Sequence, residues 1–183
     1  MPSIPSHAVV ALAIGTVFPR KQITGKMLLL GMLCGMFPDF DTIGMWLGIP
    51  YESTFGHRGF MHSILFAIVL SLLLATIVRN KKTPNNYRTL WFYFFLATLS
   101  HPLLDAMTSG GLGVAFFSPF SNERYFFPFR PIKVSHIGLS SFIKHNGIGV
   151  LKNEFVWLWV PSLVAMGIRC LVNNILSSRR KIV

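Results

Sequence analysis

Three uninterrupted apolar runs constrain this chain more than any other feature: residues 62–78 (HSILFAIVLSLLLATIV), 90–107 (LWFYFFLATLSHPLLDAM) and 155–172 (FVWLWVPSLVAMGIRCLV). Each approaches the roughly 20 residues a helix needs to cross a bilayer. The composition agrees, since 52% of the 183 residues are hydrophobic and only 13% charged, fewer charges than a soluble domain of this size carries. Two shorter apolar stretches, 9–18 and 27–37, come first and read as a helical hairpin around the basic turn Pro19-Arg20-Lys21-Gln22. At about 1.5 Å per residue neither spans comfortably alone, so each is expected to extend through its polar flanks or to insert part of the way. No Lys or Arg precedes the first stretch and no small-residue cleavage site follows it, so it reads as mature sequence rather than a signal peptide. The expectation is an all-α polytopic membrane protein of about five transmembrane helices, a single domain over residues 1–183.

A formal charge of +11 raises the question of nucleic acid, and the placement of the charges answers it. The basic residues gather between and after apolar runs: Arg20, Lys21 and Lys26, then Arg79, Lys81, Lys82 and Arg88, then Arg179, Arg180 and Lys181. That pattern is positive-inside topology, and no zinc-finger, homeodomain or RNA-recognition pattern accompanies it, so no nucleic-acid partner is expected. With those segments cytoplasmic, five spans run N-out and C-in, and the loop of about 108–153 lies outside. Cys34 and Cys170 sit in apolar runs without a CxxC partner and read as buried free thiols.

On this topology the residues capable of chemistry share one membrane face. His7 opens the first helix, Asp39 and Asp41 close the second, His57 and His62 precede the third run, and His101 and Asp105 close the fourth. His101 and Asp105, spaced i, i+4, stack on one helical face and can reach one cation; a hydrogen-bonded pair bridging helices is the plainer reading. Asp39 and Asp41 follow Pro38 where the chain is expected to turn extended, so their carboxylates diverge toward different roles, or Asp41 caps a short helix over 42–47. His57 belongs in a glycine-flanked turn and His62 in a first helical turn, which lets both face inward. Arg58 between them is a candidate to bind a phosphate or carboxylate, with an ion pair to an aspartate as the structural alternative. Imidazole plus carboxylate is the ligand set that suits zinc and similar divalent metals, and ionisable groups near hydrocarbon are expensive enough to be functional.

The outer loop interleaves aromatic and basic residues, most of its phenylalanines reading as an interfacial belt, while Arg124 and Arg130 are placed to hold an anionic headgroup. Glu154, at the outer start of the last run, reads equally as a ligand, a base or a helix-start carboxylate, and the role of His136 stays open.

Taken in order, His7, PDFD at 38–41, HRGFMHS at 57–63, SHPLLDAMTSGG at 100–111 and RYFFPFRPIKVS at 124–135 resemble the membrane-bound metal-dependent hydrolases described as LexA-regulated, or YdjM-like, inner-membrane proteins of bacteria. The resemblance covers nearly the whole chain and implies a multi-pass inner-membrane location, SOS-response control and a site at the periplasmic face. That family looks distantly similar to zinc-dependent phospholipase C and the P1-type nucleases, helical enzymes whose zinc ions are held by His and Asp. Carried over, it implies His7, Asp39, His57, His62, His101 and Asp105 as metal ligands. Two departures stand out: this chain lacks their initial tryptophan, and no second HxxxE or HxxxD pair follows Asp105, so one or two Zn2+ ions fit better than three.

The function expected is hydrolysis of a phosphoester, with membrane lipid as environment and candidate substrate, by a metal-activated water. Asp41 would accept the proton, and Arg58 or Arg130 would neutralise developing charge. The alternatives are a divalent-metal transporter, disfavoured because transporters hold ions near the bilayer midplane, and a non-catalytic metal or lipid sensor.

Overall fold

The computed structural model describes residues 1–79, 86–135, 142 and 144–179, and those residues are helical apart from loops and two isolated bridges. Helix α1 (Ile4–Val17) and α2 (Gly25–Met36) form the expected hairpin; α2 tightens into a 3-10 turn, Phe37–Asp41, and continues as the short α3 (Thr42–Trp46). After a compact loop, a second 3-10 turn (Phe60–His62) leads into α4 (Ile64–Val78), and α5 (Tyr87–Ala106) returns antiparallel to it. The last hydrophobic helix is α6 (Gly147–Glu154), a π-helical turn over Phe155–Trp159, and α7 (Val160–Arg179).

Among the described residues, two helical segments are long and apolar enough to cross a membrane, Gly25–Trp46 and Gly147–Ser178; by this measure the expectation of about five is not confirmed. Helices α1 and α4 have 14 and 15 residues, about 21 and 22 Å at a rise of about 1.5 Å, short of a hydrocarbon core of about 30 Å. Helix α5 has the length, at 20 residues, but carries Arg88, His101 and Asp105. Only 11% of the most apolar stretch of Gly147–Ser178 is buried, so most of its apolar surface has no protein partner among the described residues. The topology signals at Lys81, Lys82, Arg180 and Lys181, and the open question of His136, lie outside the described residues.

The apolar core joins α1, α2, α4 and α5 through Ala11, Met27, Cys34, Ala75, Leu90, Tyr93, Phe94 and Ala97. Small residues let the backbones approach: a Cβ on Gly35 would stand 2.8 Å from Ala11 Cβ and 3.1 Å from the His7 carbonyl, so glycine here is what brings α1 against the end of α2. Of the two cysteines expected buried, only Cys34 is; Cys170 is exposed on α7.

The alternating directions of α1, α2, α4 and α5 bring the start of α1, the end of α2, the approach to α4 and the end of α5 to one end of the bundle. The loop after α5 folds over that end, bonding Ala115 N–H to the Arg58 carbonyl and Ile64 N–H to the Phe116 carbonyl. Helix α6 is tied to α1 by Glu154, fully buried, whose carboxylate accepts from Ser3 N–H at 2.6 Å, from the Ser6 hydroxyl at 2.6 Å and from the Ser3 hydroxyl. Trp159 Nε1 donates to the same Ser6 hydroxyl at 2.8 Å.

Candidate metal centre

Two of the expected ligands owe their orientation to groups behind them. His101 is carried by α5, which runs continuously through Pro102, and its Nδ1 lies 2.7 Å from the Gly35 carbonyl. A carbonyl only accepts, so Nδ1 carries the proton and the lone pair is on Nε2. His62, on the 3-10 turn just before the Ser63 cap of α4, places Nδ1 2.9 Å from Asp41 Oδ2. A carboxylate likewise fixes the proton on Nδ1 and leaves the lone pair on Nε2. The two Nε2 atoms then face each other at 3.0 Å. Two lone pairs at that separation require a cation between them, a proton or a metal.

The surroundings favour a metal. Asp39 Oδ1 lies 3.3 Å from His101 Nε2 and 3.9 Å from His62 Nε2, and Asp105 Oδ2 lies 3.5 Å from His62 Nε2. One ligand atom from each of Asp39, His62, His101 and Asp105 falls within 4.8 Å of the others, and all four residues are buried. Tetrahedral zinc holds its ligands at about 2.0–2.2 Å, which sets ligand-to-ligand edges of about 3.3–3.6 Å. The observed separations bracket that range. Neither carboxylate oxygen of Asp39 or Asp105 has a hydrogen-bond partner of good geometry, nor does either nitrogen of His7, and buried polar atoms are rarely left so without a ligand or water. His7 stacks on His101 with ring centroids 3.6 Å apart, its Nε2 3.7 Å from Asp105 Oδ1; it flanks the four-residue set.

Asp41 and His57 lie behind this centre. The 3-10 turn, where an extended segment was expected, points Asp39 and Asp41 apart, since residues two apart on a three-residue turn diverge by about 120°. Asp41 makes no cap to α3. Its Oδ1 is 2.7 Å from His57 Nδ1, and its Oδ2 accepts the Arg58 backbone N–H at 3.1 Å beside His62 Nδ1. With His57 Nδ1 and the Arg58 N–H bonded to it and His62 Nδ1 at ion-pair distance, Asp41 is placed to orient these groups. Asp41, His57 and His62 also form a second group close enough to hold a metal, with His57 Nδ1 hydrogen-bonded to Asp41 at 2.7 Å and His62 Nδ1 at 2.9 Å from it. Burial pushes the His57 imidazole below its ordinary pKa against the opposing pull of Asp41, which keeps it neutral.

The three arginines fall into different places. Arg58, 1% exposed, takes the structural alternative: its Nε pairs with Asp105 Oδ2 at 2.9 Å, while Nη1 donates to the Gly110 carbonyl at 3.0 Å and Nη2 to the Thr108 hydroxyl at 3.1 Å. Its backbone is left-handed, φ 61°, a region costly for a side chain of this size and typical of positions held by their surroundings. Arg124 is a clamp between loops, donating to the carbonyls of Tyr51 at 2.8 Å and His57 at 3.0 Å, so it is not free for a headgroup. Arg130 is exposed, its guanidinium 4.7 Å over the Phe126 ring; no contact joins it to the buried cluster. Glu154 is held by Ser3 and Ser6 and is absent from both metal-competent groups.

Sequence reasoning did not foresee the Gly35 carbonyl, which sets the His101 tautomer, or Thr108 and Gly110, which hold Arg58. The last two stand inside SHPLLDAMTSGG, so the motif marked the place without revealing the role; nothing in the sequence marks Gly35.

The sequence model of a family described as "YdjM inner membrane protein" matches residues 1–176. A relative described as "Inner membrane protein YbcI", from Escherichia coli (strain K12), is 39% identical over 167 residues, which is 91% of this chain and 96% of that protein. No solved structure matches.

Proposed function

The chain belongs to the YdjM inner membrane protein family, and from that premise we propose that its buried His/Asp cluster binds a divalent metal and hydrolyses a phosphoester at the outer face of the inner membrane. The observation that carries the reading is the pair of imidazole Nε2 atoms facing at 3.0 Å, beside the buried carboxylates of Asp39 and Asp105, whose oxygens receive no well-directed hydrogen bond and only the Arg58 ion pair. Neutral imidazole and carboxylate around a closed tetrahedral volume suit zinc first. The phosphoester, the distant kinship with zinc-dependent phospholipase C and the multi-pass, periplasmic-facing arrangement rest on the motif resemblance.

A divalent cation in such a site polarises a phosphoryl oxygen and supplies a water acidic enough to attack at neutral pH. The protein's part is distributed among residues on the page. Asp39, His62, His101 and Asp105 ligate, with His7 beside them. Gly35 and Asp41 hold the two imidazoles in the ligating tautomer. Arg58 fixes Asp105 and contributes positive charge to an otherwise acidic site. His57, which lines an opening with Tyr51 and Arg58 and commits its Nδ1–H to Asp41, keeps a lone pair on Nε2 and takes the proton.

The test is elemental analysis of the detergent-purified protein beside His101→Ala and Asp105→Ala, followed by a phosphoester and phospholipid hydrolysis screen on the same samples. Stoichiometric metal that falls in both variants, with hydrolysis that falls alongside it, is the expected result. Folded wild type without metal after reconstitution leaves a proton between His62 and His101 and overturns the reading; metal without hydrolysis of any ester favours the sensor.

A further inference from the structure

Two cavities approach the metal centre from different sides. On one side lies an apolar cavity of about 520 Å³ between the start of α1 and the α2–α3 segment, lined by Leu33, Met36, Phe37, Phe40, Ile43 and Trp46 together with Asp39. On the other lies a smaller cavity of about 290 Å³ bordered by Tyr51, His57, Arg58, Gly111 and Val134. Asp39 is 5% exposed, neither of its oxygens has a hydrogen-bond partner, and it is the only charged residue lining the apolar cavity. A groove walled by hydrocarbon and ending on a ligating carboxylate matches a molecule with an apolar tail and a polar head.

Its location says which molecule. The cavity belongs to Gly25–Trp46, one of the two segments long and apolar enough to cross the membrane. Phe40 and Trp46 on its rim are 57% and 78% exposed, as side chains facing lipid would be, and an exposed tryptophan at a helix end fits headgroup depth. The metal centre sits at the same helix ends, so a lipid lying in the groove brings its head level with Asp39. In an inner membrane protein the groove opens onto the bilayer, while the smaller cavity reaches the cluster from the side of Tyr51, His57 and Arg58.

We propose that the substrate is a membrane phospholipid that enters sideways from the bilayer, lays one acyl chain in the groove between α1, α2 and α3, and presents its phosphate to the metal centre. This rests on the reading of the cluster as a metal centre and names the substrate class and its route.

The test uses full-length protein in nanodiscs of phosphatidylethanolamine and phosphatidylglycerol, with metal content and lipids retained under native mass spectrometry measured on each sample. Ile43→Trp and Leu33→Trp fill the groove from different elements at half-exposed positions, and a series of Ala, Phe and Trp at Ile43 grades the filling in case the largest side chain disturbs folding. Wild type is expected to retain one phospholipid under activation that strips peripheral lipid. That lipid is lost as side-chain volume rises at Ile43 and in Leu33→Trp, with metal content unchanged. Metal-loaded wild type that keeps no lipid, or metal-loaded variants that keep it regardless of volume, overturn the lipid route and leave the metal centre standing. Wild type without metal overturns the centre and this proposal with it.

Discussion

Asp41 is the residue whose role the structure defines most narrowly, so its replacement makes the sharpest prediction. Asp41 Oδ2 faces two donors, the Arg58 N–H and His62 Nδ1, and Oδ1 faces one, His57 Nδ1. An asparagine in the same place has one acceptor oxygen. Turned toward Oδ2, that oxygen satisfies Arg58 and His62, and its NH2 meets His57, which can shift its own proton to accept. His62 therefore keeps the ligating tautomer and loses only the negative charge that strengthens its Nε2. Outer-shell changes of this kind cost about 10–100-fold in metal affinity, and Asp41→Asn belongs near the tenfold end, about 1.4 kcal/mol. Asp41→Ala leaves three buried donors without an acceptor and frees the His62 ring, so it belongs near the hundredfold end, about 2.7 kcal/mol. The assay is competition against a fluorescent zinc chelator in detergent, with Asp105→Asn as the ligand control. Affinity falling in the order wild type, Asp41→Asn, Asp41→Ala, Asp105→Asn is expected. Asp41→Asn as crippled as the ligand variant would show Asp41 itself on the metal and refute the division between Asp39 and Asp41.

Other outcomes follow from the same geometry. His101→Ala and Asp105→Ala should each lower zinc affinity by more than about 100-fold, with circular dichroism used to confirm that the helices remain; Asp105→Ala also strands the buried Arg58 and should lower the melting temperature more. Arg58→Met strands a fully buried Asp105 carboxylate and should cost about 3–5 kcal/mol of stability, read as a lower melting temperature in detergent; metal loading should recover part of it. His57→Gln should bind zinc within a few-fold of wild type yet hydrolyse about 100-fold more slowly or worse, since His57 stands behind the ligands and offers the proton acceptor. Equal losses in binding and turnover would place it among the ligands instead.

Much of the centre was legible because alternating helices act on sequence in a simple way. They return to the same end of the bundle, so His7, the aspartates of PDFD, the histidines of HRGFMHS and the HxxxD pair converge there once the apolar runs are placed. The i, i+4 spacing of His101 and Asp105 survives unchanged on α5 despite Pro102. What pattern could not reach was the assignment of partners. Asp39 and Asp41 differ in role because the chain turns in a 3-10 helix there, which sends their side chains to different sides. Arg58 looks from sequence like an anion binder; a left-handed backbone directs it to Asp105, Thr108 and Gly110. Arg130 sits in the same kind of motif and stays on the surface over Phe126. The span count is unconfirmed for a related reason: an apolar run shows where lipid or core contact is tolerated, whereas α1 and α4 end where their caps end, at 14 and 15 residues.

The charges of the cluster give a last argument for the divalent ion and a way to test it without assuming turnover. With neutral imidazoles, the side chains bring three carboxylates, Asp39, Asp41 and Asp105, against one guanidinium, Arg58, all buried. Two uncompensated negative charges out of water are costly, and either a divalent cation or protons on the imidazoles must offset them. The two solutions diverge with pH. Burial opposes a charge on His62, but Asp41 and Asp105 beside it outweigh that and raise its pKa to about 9, so without metal a proton can occupy this space at about pH 7 and is lost only toward about pH 10. Removing metal with a chelator should therefore lower the melting temperature by more at about pH 10 than at about pH 7, and His101→Ala should narrow that difference. A chelation effect of the same size at both pH values, in protein shown to bind zinc, would mean that protons and metal do not compete for this space, and the facing lone pairs of His62 and His101 would need another explanation.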